Sequence, residues 1–122
     1  LGDPREPTLD VLAAVLGAMG EAGRYPFANA FEVTELIAKK HNVKAENVLL
    51  GSGSTQILRT ATHVFTTKTA GLVAAIPAYE ECADYARLMG HPITGVKLTS
   101  DLKMDLDALQ AASKGAGLVF YC

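Results

Sequence analysis

Short apolar stretches alternate with amphipathic segments along this chain, and that alternation constrains the fold more than any other feature. The most apolar stretches are residues 47–50, 71–76 and 117–122. Strands covered on both faces have this composition, because neither set of alternate side chains meets water. The stretch at 93–98 is interrupted by Thr94 and Lys97, which is typical of an edge strand. The pattern therefore predicts a three-layer α/β/α fold, in which helices cover both faces of a mostly parallel sheet.

Helices are predicted between the strands from apolar spacing and from residues that begin a helix. Thr8 can cap the first helix, and Asp105 can begin the last one. The predicted helices cover residues 9–19, 31–41, 57–65, 78–89 and 105–112. The first should present one apolar face, and in the second we expect Val33, Leu36 and Ile37 to face inward.

Composition excludes several classes of function. The formal net charge is −2 and the isoelectric point is near 5.9, which argues against a broad nucleic-acid interface. No apolar run approaches the roughly 20 residues of a membrane span, and the first ten residues do not resemble a secretory signal. Cys82 and Cys122 form no metal-binding or disulfide pattern, and the histidines lack ligand spacing, so we expect no metal and a cytoplasmic location.

The most informative segment is the turn Gly51-Ser52-Gly53-Ser54-Thr55, which follows an apolar stretch and opens a helix. Glycines allow the backbone to approach a ligand closely, and the first helical turn offers N–H groups without helical partners. The hydroxyl groups of the turn add further donors. Together these features predict an anion site, most naturally one for a phosphate group.

Three well-known glycine motifs do not fit this turn. A P-loop requires a lysine that the turn lacks, and a dinucleotide fingerprint requires glycine where Gln56 stands. A nucleophile elbow requires serine at its centre, which Gly53 occupies. A helix start that is simply capped by serine or threonine remains the alternative interpretation.

The order of several short motifs resembles a known family. Arg24-Tyr25-Pro26, Ala45-Glu46-Asn47, the glycine-rich turn and Pro77-Ala78-Tyr79 follow one another at similar spacing in fold-type I aminotransferases dependent on pyridoxal 5'-phosphate (PLP). The chain is most similar to their histidinol-phosphate aminotransferase-like branch. The resemblance extends over nearly the whole chain, and it implies the N-terminal part of a PLP-dependent transferase large domain.

The resemblance implies a role for individual residues. Gly53, Ser54 and Thr55 match the positions that hold the cofactor phosphate. Tyr79 matches the aromatic residue that stacks on the pyridine ring, and Tyr25 matches a tyrosine that reaches the neighbouring subunit's phosphate. The resemblance implies no catalytic residue in this segment, because the family's cofactor-binding lysine lies farther downstream.

The resemblance also implies an organisation and an activity. Residues 1–30 would form an N-terminal segment and interface arm, and residues 31–122 the first part of the large domain. We expect the chain to be part of a longer homodimeric enzyme that exchanges an amino group between an amino acid and a 2-oxo acid. Histidinol phosphate and aromatic amino acids are both open as donors, and neither nucleic acid nor membrane is expected as a partner.

Two other functions remain open from the sequence. The same turn would serve a non-catalytic phosphate- or nucleotide-binding module of doubly wound type. A non-catalytic relative retained for dimer packing would share the motifs but lack the downstream lysine.

Overall fold

A computed structural model describes residues 6–122, which divide into two compact units. Within the described residues, the units are residues 6–48 and Leu49–Cys122, and each is described by itself. The predicted N-terminal segment at 1–30 and the predicted absence of a secretory signal both rest in part on residues 1–5, which lie outside the described part.

The first unit contains two helices, α1 (Leu9–Ala18) and α2 (Phe27–His41). Short 3₁₀ turns follow at Met19–Glu21 and Ala45–Asn47. The start of α1 is as predicted, since the Val11 N–H donates to the Thr8 hydroxyl at 3.5 Å. Asn42 ends α2 with a left-handed φ of 53°, a conformation that asparagine tolerates better than most residues.

The second helix begins four residues before its predicted start at Phe31. The carbonyl of Pro26 accepts the first helical hydrogen bond, from the Ala30 N–H at 2.8 Å. Proline disfavours helical angles only in the residue before it, here Tyr25, and it is well tolerated at a helix start. The link expected through Phe27–Ala30 is therefore helical.

The predicted inward face of α2 is wrong in part. Val33 is 44% exposed and Leu36 is 60% exposed, whereas Ile37 is half-buried and Ala38 is fully buried. The apolar face predicted for α1 is likewise exposed along its whole length. Periodicity identifies a face, but burial requires an opposing surface, and the described residues of this unit bury only Ala38 fully.

The second unit is built on a parallel sheet. Its elements are α3 (Gly53–Phe65), β1 (Leu72–Ile76), α4 (Glu81–Leu88), β2 (Ile93–Lys97), α5 (Leu106–Ala112) and β3 (Leu118–Phe120). The strand order is β2-β1-β3, and Leu72 of β1 lies opposite both Ile93 and Leu118. The predicted strands at 71–76, 93–98 and 117–122 are confirmed with ends shifted by one or two residues.

The strand predicted at 47–50 is wrong. Asn47 ends a 3₁₀ turn, and residues 48–50 pair with no strand in the described part of the chain. Val48 does have extended angles, but a β-strand also requires a neighbour to complete its hydrogen bonds. The helix predicted from Ala78 begins instead at Glu81, because residues 77–80 form a turn.

The core lies on both faces of β1. Leu72 and Ala74 face α4, where they pack with Cys82 and Ala86. Val73 faces the opposite side and packs with Val96 and with Leu109 of α5. Alternate residues of one strand thus meet helices on different faces, which confirms the three-layer α/β/α architecture. Within residues 6–122, no helix has the length and apolarity needed to cross a lipid bilayer.

Candidate functional site

The glycine-rich turn changes the direction of the chain immediately before α3. The Gly53 N–H donates to the Gly51 carbonyl at 2.8 Å, and Gly53 has a φ of +79°. An L side chain rarely adopts that angle, so glycine suits this position. A Cβ atom built on Gly53 would meet no atom within 4 Å, which shows open space beside the turn.

Donor groups are concentrated where α3 begins. Ser54 and Thr55 belong to the first turn, where backbone N–H groups have no acceptor within the helix. The Ser52 side chain makes no capping bond, and the Ser52 N–H donates to the Gln56 side chain instead. In the range 6–122, no protein group hydrogen-bonds the hydroxyl of Ser54 or Thr55. The dipole of this 13-residue helix adds positive potential at the same place.

Tyr79 lies in the turn that connects β1 to α4. Its side chain is 52% exposed, so one part of the ring is available to a ligand. A cavity of about 60 Å³ lies beside it, bordered also by Ala75, Ile76 and Ala83. The turn follows directly from the carboxyl end of the central strand.

Both segments lie at the carboxyl edge of the sheet. The other end of α3 is at the amino edge, since the Phe65 carbonyl lies against Gly117, just before β3. The helix α3 therefore runs from the carboxyl edge toward the amino edge. Within residues 6–122, the cavity beside Tyr79 is not lined by Gly53, Ser54 or Thr55. In open parallel sheets, ligands bind at this edge.

An ion pair connects the two helices that begin at this edge. The Arg59 Nε donates to the Glu81 carboxylate at 2.5 Å, and its guanidinium lies over the Tyr85 ring, 5.8 Å from the centroid. The hydrogen bond to Glu81 and the charge of Glu81 raise the pKa of Arg59. Sequence reasoning missed Arg59, because 22 residues separate it from Glu81. The spacing of Glu81 and Tyr85 by one helical turn was the only available signal.

Tyr25 belongs to the first unit. It is 87% exposed, and its ring stacks on Phe27 with centroids 5.9 Å apart.

The remaining reactive groups have structural environments. Cys82 is buried in the core and Cys122 is exposed, and both are free thiols. Burial raises the pKa of the Cys82 thiol, which disfavours its reactive thiolate form. His91 contacts the Thr66 hydroxyl at 2.8 Å through Nδ1. The described residues contain no group of three or more His, Cys, Asp or Glu side chains placed to hold a metal ion.

The fold and the candidate site together define an α/β protein in which a helix with exposed hydrogen-bond donors in its first turn begins at the carboxyl edge of a parallel sheet. Comparison with known proteins identifies the family within this class of α/β proteins. The sequence profile of the family "Aminotransferase class I and II" matches residues 2–122, and the chain belongs to that family.

Individual relatives agree with the family assignment. The chain is 31% identical over 121 residues to the histidinol-phosphate aminotransferase of Symbiobacterium thermophilum, covering 98% of this chain and 33% of the relative. It is 29% identical to the aromatic amino acid aminotransferase of Cutibacterium acnes, covering 98% and 34% of the two chains.

The fold also matches a solved structure. A protein from Erwinia carotovora atroseptica SCRI1043, provisionally named a histidinol-phosphate aminotransferase, superposes with a TM-score of 0.85 at 28% identity. The match covers 89% of this chain and 32% of that one. The chain thus spans about a third of the length of the relatives that it matches.

Proposed function

We propose that this chain supplies part of the cofactor site of a PLP-dependent aminotransferase. The observation that carries the proposal is the open start of α3, where Gly53, Ser54 and Thr55 combine backbone donors, hydroxyl donors and free space. Membership of the aminotransferase family makes the phosphate of PLP the natural ligand for such a site.

The donor set fits a phosphate group. A phosphate dianion has several acceptor oxygens and no donor, so it pairs best with N–H and hydroxyl groups near positive potential. The first turn of α3 provides these groups, and no carboxylate side chain belongs to residues 51–58 to repel an anion. Ser54 and Thr55 would each donate a hydroxyl hydrogen, and Gly53 would allow the backbone to approach closely.

Tyr79 would bind the flat part of the cofactor. A half-exposed aromatic side chain at the carboxyl edge can stack on a planar ring, orient it and exclude water from one face. When bound, PLP supplies the electron sink for the substrate carbon atom, and the protein supplies position and electrostatics. The role of this chain is therefore to bind and orient, and by itself it should not catalyse amino-group transfer.

Tyr25 would act in a second copy of the protein. Its side chain is almost fully exposed, and stacking on Phe27 holds the phenol outward from the first unit. We place it in an interface arm at residues 1–30 that donates to the neighbouring subunit's phosphate, while residues 31–122 form the first part of the large domain. The functional protein would then be a homodimer.

The substrates of the whole protein would be an amino acid and a 2-oxo acid. Relatives named for histidinol phosphate and for aromatic amino acids match the same extent of this chain at nearly equal identity. Both donor classes fit the segment equally, so we propose the reaction class and leave the donor open between these two.

The proposal is tested by titrating PLP into the cofactor-free, full-length protein that contains this chain. Replacing Ser54 by Ala and Thr55 by Val together should raise the Kd by at least about tenfold, since a hydrogen bond to a charged group contributes about 1.5–3 kcal/mol. Ser113→Ala is the matched control, because Ser113 ends α5, where the helix dipole disfavours an anion.

The control should bind PLP as the wild type does. An unchanged Kd in the double variant would contradict the proposed phosphate site. A wild-type protein that binds nucleotides but not PLP would favour the non-catalytic nucleotide-binding module instead.

A further inference from the structure

The ion pair between Arg59 and Glu81 connects the two cofactor-binding segments. Arg59 is on α3, six residues after Gly53, the first residue of the helix. Glu81 is the first residue of α4, two residues after Tyr79. One side-chain contact therefore joins the helix that carries the proposed phosphate donors to the first residue of α4, which follows the turn that carries Tyr79.

Arg59 contacts α4 at two points. Its Nε bonds to Glu81, and its guanidinium plane covers Tyr85, which lies one turn farther along the same helix. Two contacts separated by a helical turn restrict rotation as well as separation of the helices. A lysine could make the first contact, but it lacks the planar group that makes the second effective.

The environment of this pair differs from that of other ion pairs in the unit. The Glu81 side chain is only 19% exposed, whereas Arg59 is 54% exposed. By contrast, Arg87 pairs with Asp84 within α4, and both of those side chains are more than half exposed. The Arg87 pair joins residues of one helix and cannot affect the spacing between two.

We propose that Arg59 is a positioning residue, which sets the distance between the phosphate-binding turn and Tyr79. The inference rests on the proposed function. PLP is a rigid ligand, so its phosphate and ring must be bound at a fixed separation. If the phosphate-binding turn and Tyr79 are slightly too far apart or too close, a rigid ligand cannot make both contacts with good geometry at once. A small error in their separation therefore weakens PLP binding at both contacts.

The experiment compares variants of the full-length protein by PLP titration of the cofactor-free form. Arg59→Met keeps an unbranched side chain of similar length as far as the position of Nε, and it removes both contacts to α4. We expect its Kd for PLP to rise about tenfold. The control Lys103→Met removes the exposed ion pair of Lys103 with Asp101 inside one loop and should leave the Kd unchanged. The Kd of Arg59→Lys should lie between those of the wild type and Arg59→Met, because lysine keeps the charge and loses the planar contact with Tyr85.

A double-variant cycle separates the pair from other effects of Arg59. Glu81→Gln should also weaken PLP binding, and adding Glu81→Gln to Arg59→Met should cause little further loss. Thermal unfolding of the cofactor-free variants is the second measurement. A positioning role predicts that Arg59→Met has a raised Kd with a Tm close to that of Lys103→Met, whereas a loss of PLP affinity that merely follows a loss of stability would overturn that role. If Arg59→Met does not fold, the Kd values of Glu81→Gln and Arg59→Lys for PLP provide the test instead.

The outcomes distinguish this inference from the function on which it rests. If wild-type protein binds PLP and Ser54 and Thr55 are required, but Arg59→Met and Lys103→Met both bind as wild type, the positioning role is wrong and the cofactor site stands. Fully additive losses in the cycle would also overturn the positioning role. If the wild type does not bind PLP, the proposed function itself fails.

Discussion

At the scale of residues, the chemistry of the proposed site could be predicted from adjacent positions. Gly53, Ser54 and Thr55 are neighbours in sequence, so their combination of backbone freedom and hydroxyl donors is visible before any fold is known. The structure adds the left-handed φ of Gly53 and the open space beside it. Arg59 could not be found in this way, because its partners Glu81 and Tyr85 come from another helix.

The role of Tyr79 leads to a prediction about its ring rather than its hydroxyl. Tyr79→Ala should raise the Kd for PLP about two- to twelvefold, which corresponds to the 0.5–1.5 kcal/mol of an aromatic pair. Tyr79→Phe keeps the ring and should bind as the wild type does. Both values come from the same titration of cofactor-free, full-length protein.

Equal losses in the two Tyr79 variants would show that the hydroxyl matters and that stacking does not. Unchanged binding in Tyr79→Ala would remove Tyr79 from the site altogether.

At the scale of elements, the sequence predicted where helices and strands occur better than it predicted which segments pair or become buried. The run from Leu72 to Ile76 is apolar throughout and forms the central strand, because both of its faces are covered. The equally suggestive residues 48–50 form no strand, since the described chain offers them no pairing partner. Local pattern predicts a segment's preference, but pairing depends on residues distant in sequence.

The central strand supports a prediction about stability. Leu72 is 1% exposed and packs against Cys82 and Ala86. Leu72→Ala should lower the free energy of unfolding by about 2–5 kcal/mol, because it leaves a cavity between the sheet and α4. Leu88→Ala is the matched control, since Leu88 lies on α4 and is 81% exposed. This variant should lower the free energy of unfolding by less than about 0.5 kcal/mol.

Urea denaturation of the full-length protein measures both changes. A loss in Leu88→Ala as large as that in Leu72→Ala would contradict the assignment of the core to the two faces of β1.

At the scale of the whole molecule, the chain corresponds to about a third of its relatives. The order of the motifs identified the family, and the match to residues 2–122 confirms it. The sequence did not predict which residues lie at the carboxyl edge of the sheet, because that edge is created by strands paired across tens of residues. The exposure of the apolar residues of α1, and of Val33 and Leu36 on α2, likewise depends on tertiary structure and is not predicted by helical periodicity alone.

The most direct test of the cofactor site is a crystal structure of the full-length protein grown with PLP. We predict that the phosphate oxygens lie within about 3 Å of the Ser54 and Thr55 hydroxyl oxygens, which is hydrogen-bonding distance. The pyridine ring should lie parallel to the ring of Tyr79. PLP bound elsewhere in the protein, with Ser54 and Thr55 in contact with solvent alone, would contradict the account.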